Sequence, residues 1–195
     1  MLSEIIHLRE KAKALGEPIL RDKSFELLLK TVKDKEPKRI LEIGVNVGLS
    51  GIAMLLSSPS AQLTGIEIDE EKIKIAQNNY KKFGVDGRAK IFIGDAGEII
   101  PILTGEYDLI FLDGPKGHYY EYVQNLIPIL SKGGVLFADN VLFRGYVGGK
   151  VKTPHRFNTT KNSMERFLKA ITEDENLKTT VFDIEDGVSI TEKIK

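Results

Sequence analysis

The sequence predicts a doubly wound α/β sandwich, with a mostly parallel sheet of seven strands finished by an antiparallel hairpin. Three observations carry this expectation. Short, near-continuous apolar runs such as Leu109–Leu112 and Val135–Phe137 have the composition of strands buried on both faces. From Lys38 to Asp139 such runs alternate with segments of helical periodicity, the pattern of βαβ units with right-handed crossovers. The last two β-rich runs, Lys178–Ile184 and Val188–Lys193, are joined by Glu185-Asp186-Gly187, where Asp-Gly signals a hairpin.

Taken in order, the chain opens with two helices. Ile5, Leu8, Ala12 and Leu15 fall at helical spacing over Ser3–Leu15, and Phe25, Leu28, Leu29 and Val32 do so in the second helix. Gly16–Arg21, broken by Pro18, separates them, and residues 1–36 form a predicted helical cover. Lys38–Gly44 is the first strand, Ile52–Leu56 a helix and Gln62–Ile68 the second strand. Glu70–Phe83 places Ile73, Ala76, Tyr80 and Phe83 on one helix face. Lys90–Gly94 is the third strand, and Ala96–Leu103 a short helix interrupted by Pro101. The strand Tyr107–Asp113, the helix His118–Leu130 and the strand Gly134–Asp139 follow. A long loop then leads to the helix Thr160–Leu177, whose inner face carries Met164, Phe167, Leu168 and Ile171. No linker, repeat or low-complexity stretch interrupts the 195 residues, so one domain spanning 1–195 is expected.

Composition narrows the function. Hydrophobic residues make up 42% and charged residues 29%, with zero formal net charge, so no global field draws the protein to nucleic acid or membrane. The absence of cysteine excludes disulfides, thiolate metal sites and a cysteine nucleophile, and fits a reducing, cytoplasmic setting. Charges run through the N-terminal segment, so no signal peptide is expected there, and no apolar run is long enough to span a membrane.

Ligands of doubly wound folds bind beyond the carboxyl ends of the strands. The first such loop is Glu42-Ile-Gly44-Val45-Asn-Val-Gly48-Leu-Ser50-Gly51. It lacks the dinucleotide fingerprint, because Asn46 and Leu49 stand where glycines would be required. A phosphate-binding P-loop is also excluded: Gly149-Lys150 is preceded by Arg144 at the glycine position and followed by Val151. Glu67 ends the second strand and suits a ribose, whereas Asp69, before Glu70 and Glu71, suits a helix N-cap. Asp95 fits either an adenine-flanking residue or an N-cap. Two strands that stop at carboxylates, at Asp113 and at Asp139-Asn140, form either an oxygen-rich metal site or merely a cap and a turn. Lys116 follows Asp113 through the turn Gly114-Pro115. The loop Val141–Met164 contains no acidic residue but holds Arg144, Lys150, Lys152, His155, Arg156 and Lys161, with Phe143, Tyr146 and Phe157 interspersed.

LEIGVNVGLS, GIEID, GDA, LDGPK and DNVLFRG, in this order and spacing, resemble the class I S-adenosylmethionine-dependent methyltransferases. The resemblance is specifically to the divalent-metal O-methyltransferases that include the catechol and caffeoyl-CoA enzymes. It runs from about Pro18 to the C-terminus and implies a Rossmann-like methyltransferase fold. It also implies a cofactor site at Leu20, Glu42, Gly44, Val45, Gly48, Ser50, Glu67, Ile68, Asp95, Ala96 and Asp113. The metal set it implies is Asp113, Asp139 and Asn140, holding Mg²⁺, Mn²⁺ or Ca²⁺, with Asp113 and Lys116 catalytic and Lys116 the general base. Phe143, Arg144, His155 and Arg156 are expected at the methyl acceptor. Two acceptors fit: a small catechol-type phenol or its coenzyme A ester, and tRNA carrying 5-hydroxyuridine. The texture of Lys152, Arg156 and Thr159 resembles the tRNA subgroup and tips the expectation toward it. Relatives of this kind are often homodimers. A cofactor-binding module without catalysis is the competing reading, and the simultaneous presence of Lys116 and the three metal-ligand types argues against it.

Overall fold

The computed structural model describes residues 2–195. Two helices, α1 (Leu2–Ala14) and α2 (Asp22–Lys35), precede the sheet. The strands are β1 (Arg39–Ile43), β2 (Gln62–Glu67), β3 (Ala89–Ile93), β4 (Tyr107–Leu112), β5 (Leu130–Asp139), β6 (Leu177–Phe182) and β7 (Val188–Lys193). Between and after them lie α3 (Leu49–Ser57), α4 (Glu70–Lys82), α5 (Ala96–Ile99), α6 (Tyr119–Leu126) and α7 (Asn158–Glu173). The strands form one seven-stranded sheet in the order β3-β2-β1-β4-β5-β7-β6. Strands β1 to β5 are mutually parallel, and β7 runs antiparallel to both β5 and β6, so the sequence-predicted hairpin closes one edge.

Alternation along the strands divides the core between two faces. Leu41, Ile43, Ile110, Leu112, Leu136 and Ala138 pack with Tyr119, Val123, Leu126, Met164 and Phe167 of α6 and α7. Ile40, Leu109, Phe111 and Phe137 pack on the other side with Leu28, Val32, Ile52, Leu55 and Tyr80 of α2, α3 and α4. Both faces being covered explains why the central strands read as unbroken apolar runs.

Two sequence-predicted helices are shorter than expected. The helix predicted over His118–Leu130 ends at Leu126, because Pro128 cannot continue it, and Leu130 already opens β5. That strand shifts register between Tyr107 and Leu109 of its partner, accommodating Ser131–Gly134. The helix predicted over Thr160–Leu177 starts earlier, at Asn158, and stops at Glu173, since Leu177 belongs to β6.

The parallel strands deliver their following loops to one edge of the sheet. Gly44–Gly48, Ile68-Asp69, Gly94-Asp95, Asp113–Pro115 and Asn140–Gly149 all lie there.

Candidate active site

The β1 loop is held against the end of β4 by main-chain geometry. Asp113 N donates to Ile43 O at 3.0 Å, and Gly44 N to Ile66 O at 3.0 Å. Gly44 has φ +91°, and a Cβ on it would overlap the Asp113 carbonyl. Only glycine allows this approach of the first loop to the carboxylate-bearing one. A cleft between these loops and the segment before α2 is lined by Pro18, Ile19, Leu20, Gly44, Val45, Ser50 and Asp113, with Arg9 of α1 at its wall. Arg9 is buried, donates from Nη2 to Leu20 O and Asp22 Oδ1 at 2.8 Å each, and stacks 3.8 Å from the Phe25 ring centroid. Arg9 thereby fastens α1 to the segment that lines this cleft.

Glu42 is fully buried beneath the loop. Ser50 Oγ donates to its Oε1, while Oε2 has no partner among the described residues. Burial pushes its carboxyl up to about 8, against the Ser50 hydrogen bond and with help from the charge of Asp113. Glu67, at the end of β2, accepts from Asn46 N at 2.8 Å and Ile68 N at 2.9 Å, which fixes its carboxylate at the mouth of the first loop. Asp69 is the N-cap of α4, accepting from Glu71 N and Lys72 N. Asp95 caps α5 by accepting from Gly97 N at 2.6 Å, with Ala96 buried beside it. Ile68 stands 65% exposed at the end of β2, an apolar surface facing solvent beside Glu67.

A second cleft, of about 460 Å³, adjoins the first and shares Pro18, Ile19 and Asp113 with it. Its walls include Arg21, Asp113, Lys116, Asp139, Asn140, Phe143, Arg144 and Asp186. The parallel pairing of β4 with β5, ending at Leu112↔Ala138, brings Asp113 and Asp139 side by side. Asp139 is 3% exposed, and its Oδ1 has no partner among the described residues. Burial, reinforced by the charge of Asp113, pushes its carboxyl up to about 7. Asn140 sits at φ +58°, which tightens the turn that follows; among non-glycine residues asparagine tolerates this region best. Lys116 Nζ reaches back over the turn and donates to Asp113 Oδ1 at 2.8 Å.

Tyr119 opens α6. Its ring is buried, but its hydroxyl lies 3.1 Å from Leu112 O and 3.2 Å from Asp139 O. One hydroxyl thus ties together the ends of the two carboxylate-bearing strands. No local pattern reveals this, because the two acceptors become neighbours only when β4 and β5 pair.

The basic loop is ordered by its own aromatics. Phe143, Tyr146 and Phe157 form a cluster with ring centroids 5.5 to 5.7 Å apart. Arg144 and Arg156 lie over Phe157 at 5.3 and 4.7 Å. Lys150 pairs with Asp183 and Lys161 with Glu165, so part of the local positive charge is neutralised from outside the loop. Of the four sequence-predicted acceptor residues, Phe143 and Arg144 line the cleft, whereas His155 and Arg156 are exposed beyond its walls. Among the described residues no group of three His, Cys, Asp or Glu side chains forms a metal cluster; the candidate set here is two carboxylates and one amide.

The sheet order and the loops at its carboxyl edge define a Rossmann-like methyltransferase fold. A sequence profile described as O-methyltransferase matches residues 10–194, and the chain belongs to that family. It is 33% identical over 156 residues to a caffeoyl-CoA O-methyltransferase of Stellaria longipes, covering 72% of this chain and 64% of that enzyme. It is 29% identical over 183 residues to the Medicago sativa caffeoyl-CoA O-methyltransferase, covering 88% and 72%. The chain therefore spans just under two thirds of the Stellaria enzyme's length. Among solved structures, a Staphylococcus aureus protein provisionally assigned as a caffeoyl-CoA O-methyltransferase superposes with TM-score 0.87 at 26% identity, over 97% of this chain and 91% of that one. A Podospora anserina methyltransferase with bound S-adenosylhomocysteine does so with TM-score 0.80 at 28% identity, over 90% and 80%. Among the described residues no helix is long and apolar enough to cross a membrane.

Proposed function

We propose that this protein transfers a methyl group from S-adenosylmethionine to a hydroxyl of an acceptor that carries two adjacent oxygens. The observation that carries this reading is the convergence of Asp113, Lys116, Asp139 and Asn140 on one cleft, which adjoins the Gly44–Ser50 loop through Asp113 itself. The cofactor fits the first cleft: Gly44 admits close approach, Ser50 supplies a polar side chain at the wall with Glu42 hydrogen-bonded behind it, and Glu67 stands at the next strand end with a carboxylate for a ribose. A hard divalent cation fits the second: the donors are all oxygen, and Asp139 Oδ1 is buried without a protein partner. Asp113, Asp139 and Asn140 would hold it, and when bound it lowers the pKa of a chelated hydroxyl and fixes the direction of the oxygen pair.

The chain's own residues supply the rest. Lys116, at hydrogen-bond distance from Asp113, takes the hydroxyl proton. Asp113 contributes its carboxylate to one cleft and its backbone to the other, which fixes the offset between acceptor and cofactor. Tyr119 holds the two strand ends in register. Ile19 and Leu20 give the cofactor cleft an apolar wall.

Two acceptors remain in view, each with its own support. The caffeoyl-CoA relatives favour a catechol ring or its coenzyme A ester. The aromatic cluster flanked by Arg144 and Arg156 favours an RNA carrying 5-hydroxyuridine, whose 5-oxygen and O4 form an equivalent chelating pair. The test is methyl transfer from labelled S-adenosylmethionine with Mg²⁺ or Mn²⁺, with and without EDTA, to a catechol, a caffeoyl ester and a hydroxyuridine-containing tRNA. Activity should vanish in EDTA and in Asp113→Ala, and Lys116→Ala should lose about 10²- to 10⁴-fold. Full activity in EDTA removes the metal from the mechanism, and a Lys116→Ala rate near wild type removes the base.

A further inference from the structure

The second cleft holds a third carboxylate that neither the metal set nor the base accounts for. Asp186 belongs to the turn between β6 and β7. Val188, two residues on, is paired directly with Asp139 in the antiparallel ladder. The turn is locked to the loop that leaves Asn140: Val141 N donates to Gly187 O at 3.0 Å and Leu142 N to Asp186 O at 2.9 Å. Gly187, at φ +84°, packs against Leu142 so closely that no side chain fits there. The Asp186 side chain is fixed as well, because Oδ1 accepts from Arg144 N. Its Oδ2 has no protein partner among the described residues, and no cation neutralises it. Arg144, the adjacent cation, lies over Phe157 instead, and Lys150 is committed to Asp183.

With Asp113 and Asp139 assigned to a cation, Asp186 is the carboxylate left to face the acceptor. We propose that Asp186 determines acceptor specificity, its free oxygen accepting a hydrogen bond from an N–H or O–H that the acceptor carries next to its chelating oxygen pair. This rests on the methyl-transfer reading given above. The class of acceptor it selects is a ring in which a donor flanks the oxygen pair. A hydroxylated pyrimidine with its imide N–H beside the chelating carbonyl belongs to that class, as does a trihydroxyphenyl ring. A plain catechol presents a C–H at the same place and leaves the fixed carboxylate unpaired, a cost that drives discrimination.

The test compares wild type with Asp186→Asn, which keeps Oδ1 for the Arg144 N–H but replaces the free oxygen with an amide donor. Acceptors are catechol, pyrogallol and an RNA stem-loop containing 5-hydroxyuridine, each with Mg²⁺. Turnover is read as kcat/KM, and binding as the Kd of each acceptor for protein loaded with S-adenosylhomocysteine. Wild type should favour donor-bearing acceptors over catechol by about tenfold or more. Asp186→Asn should lose about 10- to 100-fold on them in both readouts, with catechol turnover not reduced and the preference over catechol abolished. Equal losses on all three acceptors, no loss on any, or a wild-type preference for catechol would overturn the role of Asp186 while leaving methyl transfer intact. Transfer to none of the three by wild type would overturn the methyl-transfer reading, and the role of Asp186 with it.

Discussion

At the scale of single residues, the two clefts depend on atoms that cannot be exchanged. Gly44 combines a positive φ with contact against the Asp113 carbonyl, so Gly44→Ala must shift one loop off the other. We expect a loss of about 2 kcal/mol or more in urea unfolding, together with loss of S-adenosylhomocysteine binding by titration; an alanine variant that binds normally would contradict the packing. Glu42 makes a different prediction. An ordinary glutamate ionises near 4.5, but burial holds this one near 8 in the folded chain. Between those values the folded protein keeps a proton that the unfolded chain has released. The contribution is therefore fully present below pH 4.5 and is lost as pH rises through 8. Relative to Glu42→Gln, wild type should lose stability on the order of a few kcal/mol between pH 5 and pH 8, read from urea midpoints. Parallel behaviour of the two proteins would show that Glu42 ionises normally. The meeting of Asp113, Asp139, Asn140 and Lys116 in one cleft was legible in the sequence, because strand-terminal carboxylates and a short turn are local features. Glu42's orphan oxygen, Tyr119's double tie and Asp186 were not, because each depends on which strands become neighbours.

Among the elements, α2 has the clearest hidden dependence. Its N-cap residue, Arg21, offers no side-chain cap. The first turn is capped instead by Glu185, which accepts from Lys23 N at 3.1 Å, Ser24 N at 3.0 Å and Ser24 Oγ at 2.8 Å. Glu185→Ala should cost about 1–2 kcal/mol and raise hydrogen exchange in the first turn of α2, with little effect on α4. Uniform exchange across both helices would refute this cap. No pattern near residue 24 could have announced it, since the partner lies 161 residues away. The helix ends are hidden from local sequence for a related reason. Apolar spacing continues through Leu126 and Leu130, and only Pro128 and the demands of the next strand stop α6. The basic loop was legible in charge but not in form, since its aromatic cluster joins Phe157 to residues more than ten positions away.

For the whole molecule, the fold class followed from sequence because alternation of apolar strands and amphipathic helices is a property of the entire chain. The strand order did not. It is set by crossovers, and one step reverses the chain order: β7 enters between β5 and β6 rather than at an edge. The turn that leads into it also carries Glu185 and Asp186, which touch α2 and the loop after Asn140. This turn therefore helps to wall the second cleft and caps the helix that follows the segment lining the first. This makes the order of folding part of the protein's chemistry. The parallel strands can pair early around a largely apolar centre, but contacts between segments far apart in sequence, such as Ser24 with Glu185, pay their loop-closure entropy late. In refolding from urea, cofactor binding should return with the slowest phase, after most of the helical signal has recovered.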